Sequence, residues 1–148
     1  MKPHLFIVAA AIGWAVASVM GVRRPVQQAT TPPYQKAILD TIWELESGRA
    51  EYLEPAGPCG ELGPYQITHA YWTDALDSQP GLGGSFSKCR EAAYSRAVVV
   101  AYMERWAPEA WASGDAETIL RVHNGGPRGG SKHWTLDYWE RGRRILEQ

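Results

Sequence analysis

Residues 46–67 read ESGRAEYLEPAGPCGELGPYQI. The stretch begins where one regular pattern ends. Upstream, Tyr34, Ile38, Ile42 and Leu45 recur every three to four residues with Asp40 and Glu44 between them. That spacing predicts an amphipathic helix over 34–47, opened by Pro32-Pro33 and stopped at Gly48. The glycines and prolines of 49–64 cannot continue it, so a loop or short irregular hairpin is expected there. Four carboxylates, Glu46, Glu51, Glu54 and Glu61, crowd into this stretch with Arg49 as its only base.

Further along, Thr68 is placed to cap a short helix running to about Ser78, followed by the glycine-rich loop GLGGS. Apolar residues between Lys88 and Trp106, among them Ala92, Val98, Val99 and Tyr102, predict a central buried helix closed by Pro108. Asp115 is placed to cap a helix reaching His123, which Gly125-Gly126-Pro127 stops. Thr135 is placed to cap a last helix over about 135–147 that presents Leu136, Trp139 and Ile145 or Leu146. The expected fold class is α+β, mainly helical, with one short irregular β region after the first helix.

The chain has 148 residues, enough for one domain and few for two. Residues 5–22, LFIVAAAIGWAVASVMGV, carry no charge and are followed by Arg23-Arg24. A helix of that length matches a bilayer core, so residues 1–24 read as a signal sequence or a membrane anchor. A polar, proline-bearing tether over 25–33 would then lead to a domain over 34–148. The protein is expected to be exported, either anchored at the membrane or released.

With Lys2, Arg23 and Arg24 set aside, 12 basic residues face 16 acidic ones, a net charge of −4. That balance argues against a nucleic-acid partner. Cys59 and Cys89 are the only cysteines. In an exported domain they are expected to form a disulfide closing a loop of about 30 residues, worth roughly 3–4 kcal/mol in the chain-entropy model. No Cys/His spacing suggests zinc, and neither a metal nor a cofactor is called for. Seven tryptophans and seven tyrosines are mostly expected in the core. A minority would suit an aromatic-walled cleft for sugar rings.

Glu46 stands in the last turn of its helix, where unpaired carbonyls and the negative end of the dipole disfavour a second negative charge. If partly buried there, it is expected to have a raised pKa, as a general acid requires. The bland alternative is a solvated carboxylate on a helix end.

The motifs ESG, GPYQI, YW, AYMERWA, RVHNGGPRGG and TLDYWERGRR occur in the order in which the invertebrate-type lysozymes carry their Glu-Ser-Gly, Gly-Tyr-Phe-Gln-Ile, Tyr-Trp, Ala-Tyr-Met, Arg-Ile-His-Asn-Gly-Gly-Pro and Leu-x-Tyr-Trp. The chain resembles that family over about 38–145, and its Glu-Ser and Gly-x-x-Gln-Ile are similar to those of lytic transglycosylases and goose-type lysozymes. The resemblance implies a lysozyme-like fold. It also implies cleavage of the β-1,4 bond between N-acetylmuramic acid and N-acetylglucosamine in peptidoglycan, with Glu46 as catalytic acid.

By the same resemblance Tyr65 and Gln66 belong to a strand lining the cleft, and His123, Asn124 and Gly125 close the substrate site from the other side. For His123, a hydrogen bond that holds the turn is the plainer reading. The family places an Asp about a dozen residues after its Glu, where this chain has Ala56-Gly57-Pro58. Glu54 is the expected second carboxylate, with Glu61 next. With neither, the anhydro-sugar route of a transglycosylase or a noncatalytic glycan-binding module remains.

Overall fold

The computed structural model describes residues 31–148. The segment expected as signal or anchor, 1–24, and most of the tether, 25–30, lie outside the described residues. Among the described residues no helix is long and apolar enough to cross a membrane.

Six helices carry the fold: α1 Pro33–Ser47, α2 His69–Ser78, α3 Ala92–Trp106, α4 Pro108–Ser113, α5 Ala116–Gly125 and α6 Thr135–Leu146. α1 starts on a proline whose fixed φ suits a first turn, and ends as expected at Gly48, which adopts φ 61° and donates its N–H to Glu44 O at 3.0 Å. Thr68 caps α2 by accepting from Tyr71 N, and Asp115 caps α5 by accepting from Thr118 N. Pro108 both ends α3 and opens the short α4, an element that the sequence pattern left unassigned.

Two helix starts differ from expectation. Residues 86–90 form a 3-10 turn instead of the first turn of α3. The reason is pairing: Glu91 is extended and bridges Tyr52, while Ala92 N donates to Glu51 O at 2.8 Å. Thr135 is not a cap either. Its hydroxyl is buried, donates toward the Gly129 and Lys132 carbonyls, and receives Arg121 Nε at 3.0 Å.

The irregular β region is reduced to two isolated antiparallel bridges, Tyr52↔Glu91 and Leu62↔Ile67, with no strand among the described residues. Leu62 and Ile67 exchange both backbone hydrogen bonds across a tight turn over Gly63–Gln66. Glycines and prolines on either side interrupt any longer ladder. The fold is therefore mainly helical, and the α+β expectation holds only for its helical part.

α3 lies at the centre, packed against α2, α4 and α5, while α6 covers α5 and α1. Ile42, Val98, Val99, Met103, Ile119 and Leu120 are fully buried where these helices meet. Burying each such side chain contributes about 1.5–3 kcal/mol. α6 turns Tyr138 and Gly142 inward and leaves Leu136 45% exposed, correcting the face expected from Leu136. Gly142 permits this approach, since a Cβ there would lie 2.6 Å from the Leu120 side chain.

The expected disulfide is absent: Cys59 and Cys89 are free thiols. Cys89 is sealed in the core, and burial pushes its thiol up to about 12. Cys59 sits in an exposed turn, where its own N–H donates to Glu61 Oε2 at 2.9 Å.

Candidate active site

The C-terminal turn of α1 brings Glu46 to the edge of a cavity of about 460 Å³, where its side chain is 18% exposed. From α6, the Tyr138 hydroxyl donates to Glu46 Oε1 at 2.7 Å. From α5, His123 Nε2 stands 3.5 Å from the same oxygen, its ring only 4% exposed. Behind it, His123 Nδ1 meets the Tyr71 hydroxyl of α2 at 3.2 Å. Tyr71 in turn stacks on Tyr102 of α3, with ring centroids 3.5 Å apart and planes 13° from parallel. Four helices thus converge on one carboxylate.

The electrostatics are a balance of opposed effects. Burial pushes the Glu46 carboxyl up, but His123, Tyr138 and the more distant charge of Arg141 together outweigh it and hold the group below its ordinary value. This corrects the expectation of a raised pKa from burial and the helix dipole. Tyr138 and Tyr71 move the other way, because burial holds both well above the usual phenol range. Both phenols therefore stay protonated, and Tyr138 serves as the hydrogen-bond donor to Glu46.

The opposite wall comes from the loop before α2, through Pro58, Glu61 and Gln66. Gln66 adopts φ 48°, a left-handed conformation costing a non-glycine residue roughly 1–2 kcal/mol. Its amide donates to Gly63 O at 2.8 Å and its N–H to the same oxygen at 2.9 Å, which fixes the turn. Gly57 packs against both polar side chains: a Cβ there would lie 2.5 Å from Glu61 Oε2 and 2.7 Å from Gln66 Oε1. Thr68 and Asp74 extend the lining on one side, and Asn124, Gly126 and Pro127 on the other.

Of the residues expected at the site, Glu46, Gln66, His123 and Asn124 line this cavity together. Tyr65 does not. It is fully buried below the loop, stacked on Trp43 at 6.4 Å, and its hydroxyl accepts from Arg96 Nε at 3.0 Å. Gly125 stands one residue behind the lining, its carbonyl accepting from Lys132 Nζ. Glu54 lies outside the cavity with its side chain 71% exposed, bonded to the Tyr52 hydroxyl and 3.7 Å from Arg90. Glu61, ranked second on sequence, is the other glutamate of the cavity.

Tyr71, Tyr138 and Asp74 were not anticipated. A signal for the two tyrosines existed, since each begins a Tyr-Trp pair within the motifs quoted above.

Comparison with known proteins gives the chain a family. The destabilase family model matches residues 36–144. A protein named lysozyme from Meretrix lusoria is 39% identical over 84 residues, 56% of this chain and 66% of that protein. One named lysozyme 1 from Crassostrea virginica is 40% identical over 80 residues, 53% of this chain and 41% of its own length. An invertebrate-type lysozyme from Ruditapes philippinarum is 34% identical over 109 residues, 72% of this chain and 76% of that protein. The chain thus spans less than two thirds of the first two relatives and about three quarters of the third. A family match over most of the described residues and a relative 34% identical across 72% of the chain lead to one assignment: this chain belongs to the destabilase family of invertebrate-type lysozymes.

Proposed function

We propose that the protein is an exported glycosidase, a muramidase that cleaves the β-1,4 bond between N-acetylmuramic acid and N-acetylglucosamine of peptidoglycan. The observation that carries this reading is Glu46: a largely buried carboxylate in a 460 Å³ cleft, held by Tyr138 and faced by His123, in a chain of the destabilase family. Glu46 is the general acid that protonates the glycosidic oxygen as positive charge develops on the sugar. His123, Tyr138 and Arg141 favour the ionised form of Glu46, so the carboxylate takes its proton from solvent as the glycan fills the site. A bound sugar expels water and adds to the burial that already favours the protonated form.

Glu61 takes the second acidic role in this reading in place of Glu54, because it shares the cavity with Glu46. Its carboxylate stabilises the positively charged sugar, attacks it, or activates water, according to the separation reached when substrate is bound. Gln66, Asn124 and the Gly126-Pro127 backbone position the glycan.

The test is mass spectrometry of products from a defined peptidoglycan, run with the wild type and Glu46→Gln. Reducing-end sugars from the wild type and none from the variant are expected. Anhydro sugars would replace hydrolysis by the transglycosylase route, and equal cleavage by the two proteins would remove Glu46 from the mechanism.

A further inference from the structure

A second groove, of about 930 Å³, lies on the far side of Pro127, and Pro127 lines both it and the Glu46 cavity. The two depressions share α3 as well. Tyr102 faces the first and Trp106, four residues on, faces the second. Four residues of helix advance about 6 Å and return to the same face, so these rings follow one another along a single track.

Trp106 is 38% exposed, one of the few large aromatic side chains among the described residues that the fold leaves at the surface. Its ring is braced by Arg105, whose guanidinium stands 4.9 Å from the ring centroid and donates to the Asp74 carbonyl at 2.7 Å. An aromatic face held in this way loses little freedom when a ligand settles on it.

The groove sets Glu109 and Asp115 against Arg128 and adds the Thr118 and Ser131 hydroxyls, a mixed lining that suits an uncharged, hydroxyl-rich ligand. The Thr118 hydroxyl spends its proton on Asp115 Oδ2 at 2.6 Å, and that of Ser131 on the Arg128 carbonyl at 2.8 Å. Both oxygens are therefore left as acceptors for hydroxyl or amide donors. A flat apolar ring beside acceptor oxygens matches a saccharide, with a C–H face and a hydroxylated edge, better than an aliphatic or anionic ligand.

We infer that the glycan strand continues from the Glu46 cleft over Pro127 into this groove, where a sugar ring stacks on Trp106, making it a binding site for the part of the polymer distant from the scissile bond. The inference rests on the proposed glycosidase reading and adds a dependence on chain length. Short oligosaccharides are held by the cleft alone, and longer strands are held by both sites.

The test uses peptide-free glycan strands, size-fractionated from disaccharide to octasaccharide and titrated calorimetrically into the Glu46→Gln protein, with melting temperatures checked in parallel. Affinity is expected to rise again with length once the strand passes the cleft. Trp106→Ala in that background should weaken the longest strands by about fivefold to tenfold and leave the disaccharide unchanged, while Trp106→Phe retains most of the gain. Length-dependent binding indifferent to Trp106, or equal weakening at every length, overturns the groove assignment alone. No binding at any length overturns it together with the glycosidase reading. Shortening of the strands by Glu46→Gln, read from product masses in the same samples, removes only the role of Glu46.

Discussion

Tyr138 Oη donates to Glu46 Oε1 at 2.7 Å, joining the last helix of the chain to the last turn of the first. The bond favours the ionised carboxylate, so its loss should shift the acid's titration upward. Tyr138→Phe keeps the ring and removes only this donor. The limb of the pH–rate profile that reports loss of the Glu46 proton is expected to move to higher pH. An unchanged profile would mean that Tyr138 does not act on the carboxyl.

Glu46 also ties stability to pH. Its folded pKa is depressed, so between its folded and unfolded values the unfolded chain binds more protons and stability rises with pH. The contribution is present above the ordinary carboxylate value and is lost as pH falls through the folded one. Thermal melts of Glu46→Gln should therefore lose less Tm than the wild type when acidified below about pH 5. Parallel slopes for the two proteins would contradict the depression.

The two other glutamates considered as partners should separate cleanly. Glu61→Gln is expected to lower kcat by about 10²-fold or more, whereas Glu54→Gln, outside the cavity, should stay within about twofold of wild type. A large loss from Glu54→Gln with none from Glu61→Gln would reverse the assignment.

Thiol chemistry should distinguish the cysteines. In native buffer one thiol per molecule, Cys59, is expected to react with a disulfide reagent, and Cys89 only after unfolding, because burial holds its thiol up to about 12. Neither thiol reacting before reduction would restore the disulfide.

Gly63 meets Cys89 from the loop side. It adopts φ 72°, and a Cβ there would overlap the Cys89 carbonyl, a backbone atom that cannot step aside. Gly63→Ala is expected to cost about 3 kcal/mol or more, read by chemical denaturation. A loss under about 1 kcal/mol would mean that the turn relaxes freely.

The helices were legible because apolar period, proline, glycine and cap residues agreed at α1, α2 and α5. What escaped depended on partners distant in sequence. The start of α3 moved because Glu91 and Ala92 pair with 51–52, and no local propensity at Lys88 records that. Thr135 is an intrinsically good cap, overridden by carbonyls at 129 and 132. Motif order pointed to Glu46, Gln66, His123 and Asn124, which share one cavity. The choice between Glu54 and Glu61 hinged instead on how a loop folds through Gly57 and Gly63. Tyr65 looked like a wall of the cleft and is the buried prop beneath it, fixed by Arg96. The pKa direction failed for a similar reason, since the donors that decide it come from α5 and α6.

The isolated bridge at Tyr52 carries one more consequence. The floor of the cleft belongs to packed helices, whereas the outer part of its facing wall, residues 51–61, is tied to the rest by the Tyr52↔Glu91 bridge and the backbone bonds of Glu51 and Leu53, with no strand to hold it. Heat should therefore splay the wall before it melts the helices, silencing the protein while its circular dichroism still looks native. For this chain, the temperature at which function ends is expected to lie below the temperature at which the fold ends.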